Sequence, residues 1–265
     1  MEYGNLRMYI EQLLGRGDLI FSKMEIGSAM NLSDNSIRSA IKRHVENKSV
    51  VKLSRGWYLA LPLEYRAQGF VPPEQFIDDF MNALDRKYYV CLLSAASFYG
   101  ATHQASQVFQ VMVEREMKPL HIGNVKIQFI VNSFLQDAHV QELKTDRGPL
   151  TLSSPENTIV DLLKYPSQSG NLNHIATVIS EISEHIDHAK LRNIVKKAPL
   201  LSLQRLGFIL EKVGERELRN IVKSHIDKER APKFYSPLNP GSPSDGFSKD
   251  KNWHLIVNEE IEADV

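Results

Sequence analysis

The residues best suited to chemistry lie between positions 33 and 56, where there are six basic residues and two acidic ones. Arginine and lysine in such a cluster can contact phosphates, arginine can also bind a guanine edge, and short polar side chains can read other base edges. The pattern therefore predicts a contact with double-stranded DNA through Asn35, Ser36, Arg38, Ser39, Lys42, Arg43, Lys52 and Arg55. The alternative is a small protein-binding unit with a solvated basic face.

A second group of polar residues surrounds a helix-to-strand junction near position 100. Ser94 is predicted to cap a short helix, and the small residues around it suit close packing of a helix on a sheet. The group consists of Ser94, Tyr99, Thr102, His103 and Gln104. It forms either a structural hydrogen-bond network or a site that contacts a ligand or RNA.

Signals for catalysis are weak. The sequence has no glycine-rich phosphate loop, and its one cysteine, Cys91, cannot build a thiolate zinc site. Asp137 followed by Glu142 and Lys144 resembles the acid and E-x-K arrangement with which nucleases hold Mg²⁺, although such triplets often arise by chance. We therefore expect no enzyme, no catalytic residue, no metal site and no cofactor, and a metal-dependent nuclease is the enzymatic alternative.

The elements that must position the basic residues form a small unit over residues 1–66. Apolar spacing predicts a helix over Tyr3–Leu14, and Ser22 is placed to cap a second helix. A tight turn leads into a third helix at Asn35–Asn47, whose apolar stripe leaves the basic residues on its other faces. Two β-rich runs about a turn with Gly56 then predict a hairpin. This is the order of a winged helix-turn-helix, which places its recognition helix in the major groove.

A larger domain is predicted over residues 72–235, with strands and helices up to position 154, among them a hairpin about Gly123-Asn124. From there on it is helical, beginning with a helix over Pro155–Lys164. Residues 236–265 are interpreted as a flexible loop at 236–248, rich in Ser, Pro and Gly, followed by a tail. The predicted fold class is therefore α+β. It consists of an N-terminal winged helix-turn-helix and a larger mixed α/β domain that ends in a helical, bundle-like region.

Composition sets wider limits. The 265 residues are 42% hydrophobic and 24% charged, which is ordinary for a globular protein. Basic and acidic residues number 32 each, so an affinity for polyanions has to be local. No apolar run reaches the roughly 20 residues of a membrane span, and a single cysteine excludes an internal disulfide. We expect a cytoplasmic protein with no membrane partner.

Several segments together resemble one family. The run from Leu92 to Gln104 (LLSAASFYGATHQ) is similar to the central signature of the AbiEi antitoxins, and a winged helix lies upstream of it as in that family. Gly56-Trp57-Tyr58 and the run Ser154–Leu163 (SPENTIVDLL) agree with the family in kind and order. The resemblance covers residues 5–230 and leaves the C-terminal tail unmatched.

The resemblance implies a function. AbiEi proteins are antitoxins of type IV toxin–antitoxin systems, which act in abortive infection as phage defence. Their winged helix binds inverted repeats in the operon's own promoter and represses it, and their C-terminal domain counteracts a nucleotidyltransferase-like toxin encoded beside it. We accordingly expect promoter DNA and that toxin as partners, with the protein a monomer in solution or a dimer on DNA.

Two points stay open at this level. The resemblance leaves undecided whether antitoxin and toxin form a direct complex. The alternative function is a dedicated transcription regulator whose second domain binds an effector and which has no toxin.

Overall fold

The computed structural model describes residues 5–101, 108–229 and 233–262. These residues form two compact units. The first holds residues 5–89, 108–135 and 142–151, and the second holds the remaining described residues.

The first unit begins with three helices and a small antiparallel sheet. In chain order the elements are α1 (Leu6–Gly15), β1 (Ile20–Ser22), α2 (Lys23–Met30), α3 (Asp34–Glu46), β2 (Val50–Ser54) and β3 (Trp57–Ala60). The strands have the order β1-β3-β2, and both pairs are antiparallel. The predicted helices and hairpin are confirmed, whereas β1 escapes sequence analysis because three residues are too few to show a strand pattern.

Side-chain caps fix where α2 and α3 begin. Ser22 and Glu25 form a capping box, in which Ser22 N donates to Glu25 Oε2 at 2.6 Å and Glu25 N donates to Ser22 Oγ at 3.1 Å. Asn31 follows α2 in the left-handed conformation, with φ of 47°. Ser33 Oγ then accepts from Ser36 N at 3.3 Å to start α3. The turn between the two helices is therefore short and encoded by local residues.

An apolar core joins these helices to their sheet. The buried ring of Phe21 lies 5.6 Å from the stacked ring of Tyr58 and 5.9 Å from the edge-on ring of Tyr9. On α3, Ile37 and Ile41 are buried four residues apart on one stripe of the helix. This burial directs the polar side chains of α3 outward.

A mixed six-stranded sheet follows two further helices, α4 (Leu63–Arg66) and α5 (Ile77–Ala83). Its strands are β4 (Tyr88–Val90), β5 (Val108–Val113), β6 (Leu120–Ile122), β7 (Val125–Val131), β8 (Val140–Thr145) and β9 (Gly148–Ser153). They have the order β6-β7-β5-β4-β9-β8, with β5 and β7 parallel and β6 and β7 antiparallel. The hairpin predicted about Gly123-Asn124 is confirmed as β6-β7.

Helices dominate the second unit. They are α6 (Leu92–Phe98), α7 (Pro155–Lys164), α8 (Pro166–Ser169), α9 (Leu172–Ile182), α10 (His188–Val195), α11 (Leu200–Lys212) and α12 (Arg216–Glu229). The central one is α7, which is buried from Pro155 to Leu163 and packs against α6, α9, α10 and α11. The helical region predicted from residue 154 on is confirmed, and so is the α+β class. Within the part of the chain that is described, no helix is long and apolar enough to cross a membrane.

The segment after α12 has little regular structure, and residues 238–248, which lie within the loop predicted at 236–248, contain no helix or strand. It contributes three short strands, β10 (Ser236–Pro237), β11 (Lys249–Asp250) and β12 (Leu255–Ile256), in the order β10-β12-β11. Trp253 is 1% exposed, and its Nε1 donates to Glu211 Oε2 of α11 at 3.0 Å. Burial of this large indole stabilises the packing of the C-terminal segment on α11.

Candidate nucleic-acid interface and polar site

The eight side chains predicted to contact DNA are all exposed. Helical spacing puts Asn35, Ser39 and Lys42 on the face of α3 opposite the buried Ile37 and Ile41. The recognition surface predicted from the sequence is therefore presented to solvent rather than used in the core.

A groove of about 400 Å³ lies between α3 and the β2-β3 hairpin. It is lined by Arg38, Ile41, Lys42, Val45, Glu46, Lys52 and Tyr58. Three of the predicted cations meet there, two from the helix and one from β2. The structure does not bring the others into the groove: Ser36 and Arg43 lie on the opposite flank of α3, and Arg55 lies at the tip of the hairpin.

Carboxylates hold two of the cations in this groove. Asp34 Oδ2 pairs with Arg38 Nη2 at 2.9 Å, and Asp34 Oδ1 pairs with Lys23 Nζ at the start of α2. The hydrogen bond from Lys23, together with the charge of Arg38, lowers the pKa of Asp34, so the carboxylate is ionised at neutral pH. Glu46 Oε1 lies 3.8 Å from Lys42 Nζ, which is a looser pair.

Sequence analysis missed three residues of this network. Asp34 and Glu46 each lie four residues from the cation they pair with, and that spacing of opposite charges on one helix was a usable signal. Lys23 lies on a different helix from Asp34, so its contact depends on the tertiary turn and had no sequence signal.

Histidine adds no charge to this surface. Burial, followed by the neighbouring charge of Arg43, lowers the pKa of His44 on α3, and His44 Nδ1 shares a hydrogen bond with Ser49 Oγ at 2.8 Å. The positive charge at neutral pH therefore comes from arginine and lysine alone. Guanidinium and short polar groups on a helix, with a lysine on an adjacent hairpin, can contact phosphates and read base edges.

The second predicted group is described only in part. Thr102, His103 and Gln104 lie outside the described residues. Ser94 is buried inside α6, and the N-cap residue of that helix is Cys91. The expectation that Ser94 caps the helix is therefore wrong. Serine is a favoured N-cap residue, which predicted a start at Ser94, but the helix begins two residues earlier, at Leu92.

Tyr99, at the C-terminal end of α6, is a hydrogen-bonding centre. Its hydroxyl donates to Ser153 O at 2.5 Å and accepts from Gln141 Nε2 at 2.9 Å. Burial, followed by the charge of Glu156, raises the pKa of Tyr99, so the phenol stays neutral. The Tyr99 ring lies 6.0 Å from that of His185.

The start of α7 carries a further buried polar network that sequence analysis missed. Asn157 Nδ2 donates to Ser153 Oγ at 3.0 Å and to Asp161 Oδ2 at 2.7 Å. Glu156 Oε1 accepts from the backbone N of Asp187, the N-cap residue of α10, at 2.8 Å. These bonds connect α7 to its neighbours and satisfy the Asn157 amide and one oxygen of Glu156. The second oxygen, Glu156 Oε2, is buried and has no hydrogen-bond partner among the described residues. The polar run SPENT at the start of an apolar helix was the available signal.

The residues considered for a metal site or a reactive thiol are Asp137, Glu142, Lys144 and Cys91, and the structure places them apart from such chemistry. Among the residues described, no three His, Cys, Asp or Glu side chains come together as metal ligands would. Asp137 pairs with Lys197 Nζ at 3.6 Å, and Glu142 and Lys144 are exposed. Cys91 is buried, and burial raises the pKa of its thiol, which disfavours the nucleophilic thiolate.

A comparison with protein families gives a match over the middle of the chain. Residues 88–212 match the family model described as the AbiEi antitoxin C-terminal domain. This stretch runs from β4 to the end of α11, and over these residues the match confirms the resemblance found in the sequence. The match supports an antitoxin role in a toxin–antitoxin system.

A solved structure shares the fold. The crystal structure of the RV2827C protein from Mycobacterium tuberculosis is similar with a TM-score of 0.68 and 13% sequence identity, over 93% of this chain and 89% of that one. At this identity the similarity concerns the fold alone. No curated protein matches the chain.

Proposed function

We propose that the protein is the antitoxin and transcriptional autorepressor of a type IV toxin–antitoxin operon. Residues 1–66 form the DNA-binding winged helix-turn-helix, and residues 72–235 carry the antitoxin activity against a nucleotidyltransferase-like toxin. The observation that carries the DNA-binding half is the groove between α3 and the β2-β3 hairpin, where Arg38, Lys42 and Lys52 meet. The AbiEi match over residues 88–212 supports the antitoxin half.

The arrangement of elements supports DNA binding. Two helices joined by a short turn, followed by an antiparallel hairpin, are what a winged helix-turn-helix requires. In that motif the second helix of the pair places its N-terminal residues on base edges in the major groove. Here that helix is α3, whose exposed residues include Asn35, Arg38 and Ser39. Lys52 and Arg55 on the hairpin are suited to the flanking backbone or the minor groove.

The proposal places the protein in the cytoplasm, where the operon DNA and the toxin are found. Inverted repeats present the same half-site twice, so we propose that a monomer in solution binds each half and that two copies form a dimer on DNA. The repression and the neutralisation of the toxin require no cofactor in this scheme.

The DNA-binding half is tested by fluorescence anisotropy with the DNA directly upstream of the gene. We expect tighter binding to this DNA than to a scrambled duplex. A plot of log affinity against log salt concentration should have a negative slope of about 0.9 for each phosphate contacted. Equal binding to the two duplexes at every salt concentration would contradict a sequence-specific repressor. The N-terminal part would then be a protein-interaction unit.

The antitoxin half is tested by expressing the full-length protein together with the nucleotidyltransferase-like toxin, each from a foreign promoter. We expect growth to be restored, because repression of the native operon plays no part under these promoters. A variant that has lost DNA binding should restore growth equally well. If the wild-type protein gives no protection, the protein is a DNA-binding regulator without an antitoxin activity against this toxin.

A further inference from the structure

The first residue of α3 contacts two cations at once. Asp34 Oδ1 pairs with Lys23 Nζ, and Asp34 Oδ2 pairs with Arg38 Nη2 at 2.9 Å. One carboxylate thus links the first residue of α2 to a residue one turn into α3. The two helices are those that the proposed function assigns to the helix-turn-helix.

The contact with Lys23 anchors the carboxylate. The Lys23 side chain is 24% exposed, compared with 58% for Asp34, so the cation is the better covered partner. The backbone of Lys23 is fixed in turn, because the capping box of Ser22 and Glu25 defines the start of α2. Asp34 is fixed at its own end by the Ser33 cap of α3.

The anchored carboxylate orients the guanidinium of Arg38. An arginine has five N–H donors, and a single contact to Asp34 leaves most of them for a ligand. The Arg38 side chain is 69% exposed, so those donors are accessible to DNA. A long side chain held at one edge loses less rotamer freedom on binding, which favours a contact of defined geometry.

The charge of the pair favours a base contact over a phosphate contact. The carboxylate of Asp34 offsets the positive charge of Arg38 and repels phosphate oxygens, so the pair adds little to sequence-independent attraction. The directional donors of the guanidinium remain, and these match the O6 and N7 acceptors of guanine in the major groove. Lys42 and Lys52, which are single point charges, are better suited to phosphates.

We infer that Asp34 is a specificity-determining residue, which positions Arg38 to bind a guanine in the operator half-site facing the start of α3. The inference rests on the proposed function, since it requires α3 to lie in the major groove. It assigns to the operator a chemical feature, a guanine at one defined position, and it gives an acidic residue a role in binding a polyanion.

The test compares Asp34→Asn with Glu46→Gln, which makes the same change of charge on the same helix. Affinities are measured for the full-length protein on the upstream DNA, on a scrambled duplex, and on a set in which each guanine of the half-site is replaced by the other bases. We expect wild-type protein to prefer guanine at one position by about tenfold. Arg38→Ala should remove this preference for guanine and leave the other base preferences unchanged.

Both charge variants should bind the scrambled duplex more tightly than wild type, because each loses one negative charge. Only Asp34→Asn should reduce the preference for guanine, by at least about threefold, while Glu46→Gln should retain it. Lys23→Gln, which leaves the Asp34 carboxylate intact and removes its anchor, should also reduce the preference. It serves as the second variant if Asp34→Asn does not fold.

The outcomes separate the inference from the proposed function. If wild-type protein binds the upstream and scrambled DNA equally, the proposed function fails and the inference fails with it. If wild-type protein is specific but Asp34→Asn and Lys23→Gln both keep the full preference for guanine, the inference alone is overturned. It is likewise overturned if Arg38→Ala leaves every base preference unchanged.

Discussion

Replacing Arg38, Lys42 and Lys52 together with alanine is expected to weaken binding to the upstream DNA by about a hundredfold or more at low salt. The three side chains line one groove between α3 and the hairpin, so a single duplex can contact all of them. The two lysines should each contribute a phosphate contact. When both are lost, the slope of log affinity against log salt concentration should become smaller in magnitude by about 2. Anisotropy over a range of salt concentrations measures both effects.

The matched control removes three cations from the second unit. Lys190, Arg192 and Arg216 on α10 and α12 are exposed, and their replacement with alanine changes the net charge by the same amount. We expect this control to bind DNA like wild type. If the control loses binding and the groove variant keeps it, the DNA-binding surface is the face of α10 and α12. Circular dichroism would confirm that both variants are folded.

The largest expected effect on stability concerns the contact between α11 and the C-terminal segment. A Cβ atom at Gly207 would lie 2.0 Å from Trp253 Cζ3 and 2.3 Å from Trp253 Cη2, far inside van der Waals contact. Alanine would favour the helix by about 1 kcal/mol, but the overlap outweighs that gain. We expect Gly207→Ala to lower the free energy of unfolding by about 2 kcal/mol or more, as measured by urea denaturation.

Two comparisons show whether the indole is the cause. Gly15 is the last residue of α1, and among the described residues outside its own helix backbone no atom lies within 4 Å of its ideal Cβ position. Gly15→Ala should therefore be neutral or slightly stabilising. Trp253→Ala should itself cost about 3–5 kcal/mol through loss of a buried side chain. In that background Gly207→Ala should cost little more, because the two residues are in contact and their effects are not additive. Additive losses would mean that Gly207 is required for another reason.

Much of the fold follows from local patterns. Apolar residues at helical spacing predicted α7 to its observed bounds, Pro155–Lys164, and a Gly-Asn turn between apolar runs predicted the β6-β7 hairpin. These signals are periodicity and turn chemistry, and a continuous stretch of about ten residues is long enough to show them. The three-residue strand β1 contains too little of either, and its pairing with β3 depends on residues nearly forty positions away.

The contact of the C-terminal segment with α11 shows the limit of local patterns. Residues 236–248 are rich in Ser, Pro and Gly, which predicts a loop, and residues 238–248 contain no helix or strand. The packing of the segment depends on Trp253, Leu238 and Leu255, which are all 1% exposed or less. Gln204 of α11 also donates from Nε2 to the backbone O of Trp253 at 2.8 Å. A glycine at position 207 makes room for the indole, and no local pattern connects positions 207 and 253.

The candidate DNA-binding surface divides in the same way. The sequence by itself determined which cations α3 and the hairpin present, because helical spacing separates Ile37 and Ile41 from Arg38 and Lys42. Only the tertiary structure decided which of them share a groove, and that Lys23 of α2 holds Asp34. Periodicity fixes the face on which a residue lies, whereas a contact between two elements depends on the turn and the core that bring them together.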